Sequence, residues 1–283
     1  MNEIMKDKIV MVTGANSGIG KAASLALAKM GARVVMVVRN QEKGETAKSE
    51  ILRESPNGSV DLLLADLSSL DSVRQLAAEF HRKYSKLHVL VNNAGLFNQR
   101  RSVTADGYEN TFATNYLAPF LLTNLQLDIL KLNAPSRIIN VSSVGHYNGH
   151  MNFDDLNLEK DYGGWKAYGQ SKLALVLFTH ELAKKLDGTG VTVNAVHPGT
   201  VATNIWSRPL GPAGFIMSIP KLFMTSPEKG AETIVYLASS PDAERVNGEY
   251  WEKLKVKKSS DESYNEETAQ RLWDVSAKLT HLS

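Results

Sequence analysis

The sequence predicts an α/β fold, a single doubly wound parallel sheet with helices on both faces. Three observations carry this expectation. Short apolar runs such as Ile9-Val10-Met11-Val12 and Val34-Val35-Met36-Val37-Val38 have no polar face, as strands covered on both sides of a parallel sheet require. These runs alternate with stretches of helical periodicity, the pattern of βαβ units. A glycine-rich turn, Thr13-Gly14-Ala15-Asn16-Ser17-Gly18-Ile19-Gly20, joins the first run to the first helical stretch.

Taken in order, strand one is Ile9 to Val12, and a helix from Lys21 to Met30 is stopped by Gly31-Ala32. Strand two is Arg33 to Val38, followed by a helix from Gln41 to Arg53 and a turn at Ser55-Pro56-Asn57-Gly58. Strand three, Val60 to Leu64, leads through Asp66 to an amphipathic helix from Leu70 to Tyr84. Strand four is Val89 to Val91, and a long helix lies within Ala105 to Leu130. Strand five is Arg137 to Val141. The stretch Val144 to Trp165 is rich in Gly, Asn and Asp, with little periodicity, and it is long for a plain connection, which points to function. Tyr168 opens a helix to about Leu186, and strand six is Val191 to Val196. A helix from Pro227 to about Ser239, a last short strand near Asn247 to Tyr250 and a helix from Glu266 to Leu279 complete the chain. No repeat or linker interrupts it, so one domain over 1–283 is expected. The apolar, Gly- and Pro-punctuated stretch at about 204–226 is expected to be a substrate lid.

Composition narrows the function. The 283 residues include no cysteine, which excludes disulfide staples, thiolate metal sites and cysteine nucleophiles. Basic residues number 32 and acidic residues 30, so the overall charge gives no argument for a nucleic-acid partner. The basic run Lys253 to Lys258 has no interleaved aromatics and reads as a solvated surface. The first eight residues lack the apolar core of a signal peptide, and no apolar run reaches the ~18 residues of a membrane span. A cytoplasmic protein without an integral membrane segment is expected.

The candidate chemistry gathers at strand ends, where open α/β sheets bind ligands. In the glycine-rich turn, Gly14 permits a tight turn, Gly18 allows close approach of a pyrophosphate, and Gly20 allows helix and strand to pack closely. The helix start would face the phosphates. Arg39, in place of an acid at the end of strand two, can pair with a 2′-phosphate and points to NADP(H) over NAD(H). Asp66 could accept a hydrogen bond from an adenine amino group or cap the next helix. Asn92-Asn93-Ala94-Gly95 would tie neighbouring strands and leave room for a cofactor. Asn115 within a helix is unfavourable by propensity and implies a partner. Tyr168 and Lys172, four apart, share a helix face. A lysine ammonium beside a phenol of pKa ~10 would bring it toward working pH as a general acid or base.

With these pieces in place the sequence resembles the short-chain dehydrogenases/reductases. The resemblance rests on TGANSGIG at 13–20, DL at 66–67, NNAG at 92–95, Asn115, VSS at 141–143, YGQSK at 168–172 and HPGTVAT at 197–203. The wide gap from Ser143 to Tyr168, with SKLALVLFTHELAKKL at 171–186, TGVTVNAVHPG at 189–199 and RLWDVSAKL at 271–279, is similar to the retinol-dehydrogenase-like branch. The resemblance implies a Rossmann-like fold, a homo-oligomer, a dimer or tetramer, and a small hydrophobic alcohol or carbonyl substrate. It implies Tyr168 as acid/base and Lys172 as the group lowering its pKa and binding the ribose. Ser143 would hold the substrate oxygen, with Ser142 as fallback, and Asn115 would hold a water linking Lys172 to solvent. Asn16, Ser17, Ile19, Leu67, Asn93, Ala94, Gly95, Pro198 and Gly199 would line the cofactor, and Val201 and Thr203 would hold the carboxamide. No metal site is expected. The competing reading is a nucleotide-binding sensor or scaffold that has lost catalysis, which would be expected to lack Tyr168, Lys172 or Ser143.

Overall fold

A computed structural model describes residues 4–55, 58–199 and 225–282. Pro56, Asn57, Val201, Thr203 and the expected lid up to residue 224 lie outside the described residues.

Eight strands form one sheet in the order β3-β2-β1-β4-β5-β6-β7-β8. They are β1 (Ile9–Thr13), β2 (Arg33–Val38), β3 (Ser59–Leu64), β4 (Val89–Asn92), β5 (Ser136–Val141), β6 (Val191–His197), β7 (Tyr250–Glu252) and β8 (Lys255–Lys257). All neighbours run parallel except β7 and β8. Alternate residues of each strand feed opposite layers. Val10, Val12, Val34 and Met36 pack with Leu27 of α1 (Gly18–Lys29), Ile51 of α2 (Gln41–Glu54) and Ile234 of α7 (Pro227–Ser239). Met11, Val35 and Val37 face the other way, toward α3 (Leu70–Lys83), α5 (Ala118–Leu132), α6 (Gly164–Lys185) and α8 (Glu266–Leu279), in a core that holds Phe80, Phe120, Phe178 and Leu272. Both faces are covered, which is why these strands read as unbroken apolar runs.

The structure departs from the sequence reading at several elements. The charged stretch after Tyr250 forms β8, which pairs antiparallel with β7 and is exposed throughout. Its turn residues Lys253 and Leu254 both adopt positive φ, 51° and 62°, which a tight hairpin needs but which Lys and Leu do not advertise. The helix expected within Ala105 to Leu130 begins at α4 (Asn110–Phe112), passes through a π-turn over Ala113–Leu117 and continues as α5. Glu109 starts it, both carboxylate oxygens accepting the amides of Thr111 and Phe112. Helix α6 starts at Gly164, one turn before Tyr168. Gly163 at its N-cap supplies no side-chain cap, so the sequence carries no start signal there.

The parallel strands bring their carboxyl ends to one edge. Sequence order reverses between β1 and β4, and the site forms at that switch point.

Candidate active site

Helix α1 begins at Gly18 rather than Lys21, so the amides of Gly18, Ile19 and Gly20 belong to its first turn. Glycine's low helix propensity hid this. Gly14 and Gly18 hold φ of 66° and 54°, the left-handed region that glycine enters without strain. A Cβ at Gly20 would stand 2.4 Å from Asn93 Nδ2 and 2.5 Å from the Gly14 carbonyl oxygen. Close packing of helix against strand therefore forbids a side chain there. Ser17, the N-cap, makes no side-chain capping bond, and no acid occupies the first turn of α1. An anion approaching these amides meets no competing carboxylate from that turn.

Thr13, which sequence reasoning did not single out, fastens the switch point. Its Oγ1 accepts from the amides of Asn93 and Ala94, both at 3.0 Å. Asn93 Nδ2 donates back to the Thr13 carbonyl at 2.8 Å. Asn92 Nδ2 donates to Asn140 Oδ1 at 2.8 Å and to Thr123 Oγ1 at 2.9 Å. The paired asparagines thus tie β4 to β1, β5 and α5, as expected of them. A threonine closing a valine-rich run is an ordinary strand residue by pattern, so no local signal marked Thr13.

Arg39 leaves β2 with a side chain 67% exposed, its Nη1 3.9 Å from Asp66 Oδ2. That is a weak exposed pair, and the guanidinium keeps most of its donors. Asp66 uses Oδ1 to accept from the Ser68 amide at 3.0 Å and the Ser68 hydroxyl at 2.7 Å. It closes a local turn, while Ser69 is the N-cap of α3; the capping alternative for Asp66 is therefore corrected.

Tyr168 and Lys172 lie on α6 facing the groove. Lys172 was expected to bring the Tyr168 hydroxyl down, but the structure gives the opposite net sign. Burial pushes the Tyr168 hydroxyl above the usual phenol range, and a hydrogen bond from Ser143 opposes this without overcoming it. Burial also brings Lys172 down to about 8. Its Nζ donates to the Val141 carbonyl at 2.8 Å and stands 5.7 Å from the Tyr168 ring centroid. Each group disfavours its own charged form, the usual outcome of desolvation.

The two serines after β5 divide their tasks. Ser142 Oγ donates to the Lys172 carbonyl at 3.0 Å. Ser143 Oγ accepts from the Gly145 amide at 3.2 Å, which leaves its proton to donate toward Tyr168. Asn115 sits within the π-turn, a distortion frequent at functional sites. Its Oδ1 accepts from the Leu96 amide at 2.8 Å, and its Nδ2 donates to the Leu96 carbonyl at 2.9 Å and to Ser171 Oγ at 3.1 Å. Both amide protons are engaged, so the side chain anchors the segment after Gly95.

A groove of about 340 Å³ runs past Asn16, Arg39, Asp66, Leu67, Gly95 and Pro198 to Tyr168 and Lys172. Phe97, at its Tyr168 end, packs 4.9 Å from Trp165 and 5.9 Å from Tyr168 between ring centroids. Gly199, φ 86°, follows Pro198 at the end of β6. A larger cleft of about 540 Å³, between α6 and the C-terminal segment at His180, Lys184 and Tyr264, contains none of the expected site residues. Among the described residues no group of His, Cys, Asp and Glu is placed to hold a metal ion, and no helix is long and apolar enough to cross a membrane.

This groove, on this sheet, defines a nucleotide-dependent oxidoreductase class, and residues 8–209 match the family described as short chain dehydrogenase. The chain belongs to that family, whose members use NAD(P)(H), and it is retinol-dehydrogenase-like. It is 45% identical to human retinol dehydrogenase 13 over 97% of this chain and 85% of that protein. It is 42% identical to mouse retinol dehydrogenase 14 over 96% of this chain and 86% of that protein. Among solved structures, one from Mycobacterium Paratuberculosis has a TM-score of 0.81 at 33% identity, covering 98% of this chain and 94% of that one. A short chain dehydrogenase from Pseudomonas syringae has a TM-score of 0.71 at 27% identity, covering 88% and 96%.

Proposed function

We propose that this protein is an NADP(H)-dependent oxidoreductase that interconverts a hydrophobic alcohol and its aldehyde or ketone, with Tyr168 as the proton donor and acceptor. The observation that carries the reading is the continuity of one groove from Arg39 to the buried Tyr168 and Lys172, with Ser143 hydrogen-bonded to Tyr168 beside it. A dinucleotide fits it: the α1 amides and Ser17 suit the pyrophosphate, Arg39 a 2′-phosphate, and Lys172 the ribose. When bound, the nicotinamide supplies or takes the hydride.

The chain's own residues then handle position and proton. Ser143, its Oγ accepting from Gly145, donates to the carbonyl oxygen. Tyr168, held protonated by burial, gives its proton to that oxygen as charge develops on it. A phenol that keeps its proton suits carbonyl reduction. Phe97 and Trp165 make an aromatic wall beside the Tyr168 ring, which supports an apolar substrate. Every residue that a catalytically silent sensor would be expected to lose is present.

Arg39→Asp tests the cofactor part of this reading. The NADPH KM is expected to rise roughly 10- to 100-fold, the loss of one charge-assisted hydrogen bond, and preference to move toward NADH. An unchanged ratio of kcat/KM for the two cofactors would remove Arg39 from the phosphate site.

A further inference from the structure

The turn that carries Ser143 is organised by a histidine that lies outside the groove. His146 is fully buried in the 3-10 turn Val144–Asn148. Its Nδ1 lies 2.6 Å from the Ser143 carbonyl oxygen, and its Nε2 lies 3.1 Å from the Ser260 amide. A carbonyl only accepts and an amide N–H only donates. The two contacts together therefore fix a neutral ring with its proton on Nδ1. The Ser143 carbonyl also accepts from the His146 backbone amide at 3.1 Å, so one residue closes the turn twice.

Closing the turn fixes what lies against Tyr168. A Cβ at Gly145 would stand 3.0 Å from Tyr168 Cε1 and 3.6 Å from Ser143 Oγ. The backbone at 145 thus lies on the tyrosine ring while its amide holds the serine hydroxyl. On the far side, the segment 258–262 straps the turn down. Tyr147 OH donates to the Lys258 carbonyl at 2.6 Å, and the Met151 amide donates to Glu262 Oε1 at 3.0 Å. The His146 ring is wedged between Tyr147 and Tyr250, with centroids 4.0 and 4.6 Å away.

We propose that His146 is a positioning residue: through Nδ1–H to the Ser143 carbonyl it sets the Ser143 hydroxyl against Tyr168, and through Nε2 it ties that setting to the C-terminal strap. This rests on the function proposed above. Asparagine at 146 can place an amide donor near the Nδ1 position, and glutamine can place an amide near the Nε2 position. The test compares His146→Phe, His146→Asn and His146→Gln for kcat and KM with one apolar aldehyde, and for NADPH affinity by fluorescence titration. His146→Phe is expected to lower kcat roughly five- to tenfold, the size of one neutral hydrogen bond, with NADPH affinity within about twofold. His146→Asn is expected to recover at least half of that loss on a logarithmic scale, and His146→Gln little of it.

Equal kcat for the Asn and Gln variants, whether both are high or both are low, overturns the proposal, and that contrast decides even if the Phe variant does not fold. So does a fall in NADPH affinity that matches the fall in kcat. If wild type turns over and Tyr168→Phe does not, a flat His146 series sinks this inference alone. If wild type reduces no aldehyde, the function itself fails.

Discussion

Tyr168→Phe is expected to lower kcat roughly 10²- to 10⁴-fold, the usual contribution of a positioned general acid, while NADPH binding stays within about twofold. The phenylalanine ring fills the same space against Phe97, Trp165 and Gly145. Only the hydroxyl that Ser143 faces is removed, so folding and the glycine-rich turn are untouched. Near-normal turnover in this variant would remove Tyr168 from the chemistry.

Lys172→Met is expected to abolish measurable reduction and to change how stability depends on pH. Lys172 is buried and lies at the Tyr168 end of the groove, where a Cβ on Gly95 would come within 3.4 Å of its Nζ. Its folded-state value of about 8 lies below the ordinary 10.5. Below pH 8 both states carry the charge, and the folded protein bears the cost of burying it. Between about 8 and 10.5 the folded protein has released the proton while the unfolded chain still holds it, so stability rises with pH across that window. Methionine has nothing to titrate. Wild type should therefore gain on the variant by on the order of 3 kcal/mol from pH 8 to 10.5, measured by denaturant unfolding at stepped pH. Parallel stability curves would contradict the buried, titrating lysine. At pH 7 the variant leaves the Val141 carbonyl without its donor, which offsets part of the relief from desolvation.

Much of this molecule is legible in the sequence because parallel strands buried on both faces leave apolar runs. The apolar run Arg33 to Val38 and the helical periodicity from about Glu266 to Leu279 predict β2 and α8 with the bounds the structure shows. The gathering of Gly14, Arg39, Asn93, Tyr168 and Lys172 at one sheet edge follows from strand order alone. Other features rest on contacts that hydrophobic periodicity does not report. β8 exists because Trp251 pairs with Val256 through a turn of unsuited residues. The π-turn at Asn115 is held by Leu96, 19 residues earlier. The sign at Tyr168 is decided by burial, which a Tyr/Lys spacing does not report. Asp66 is engaged by Ser68 next door, a contact too local for its strand-end position to reveal.

The central claim is hydride transfer to an apolar carbonyl in the groove that ends at Tyr168. The most direct test is to incubate wild-type protein with NADPH deuterated at both C4 positions of the nicotinamide and a set of apolar aldehydes and ketones, and to weigh the alcohols by mass spectrometry. The account predicts one deuterium per product molecule on the carbinol carbon, with product formed roughly 10²- to 10⁴-fold more slowly by Tyr168→Phe. Alcohol without deuterium, or no alcohol from any carbonyl while NADPH binds, would contradict it.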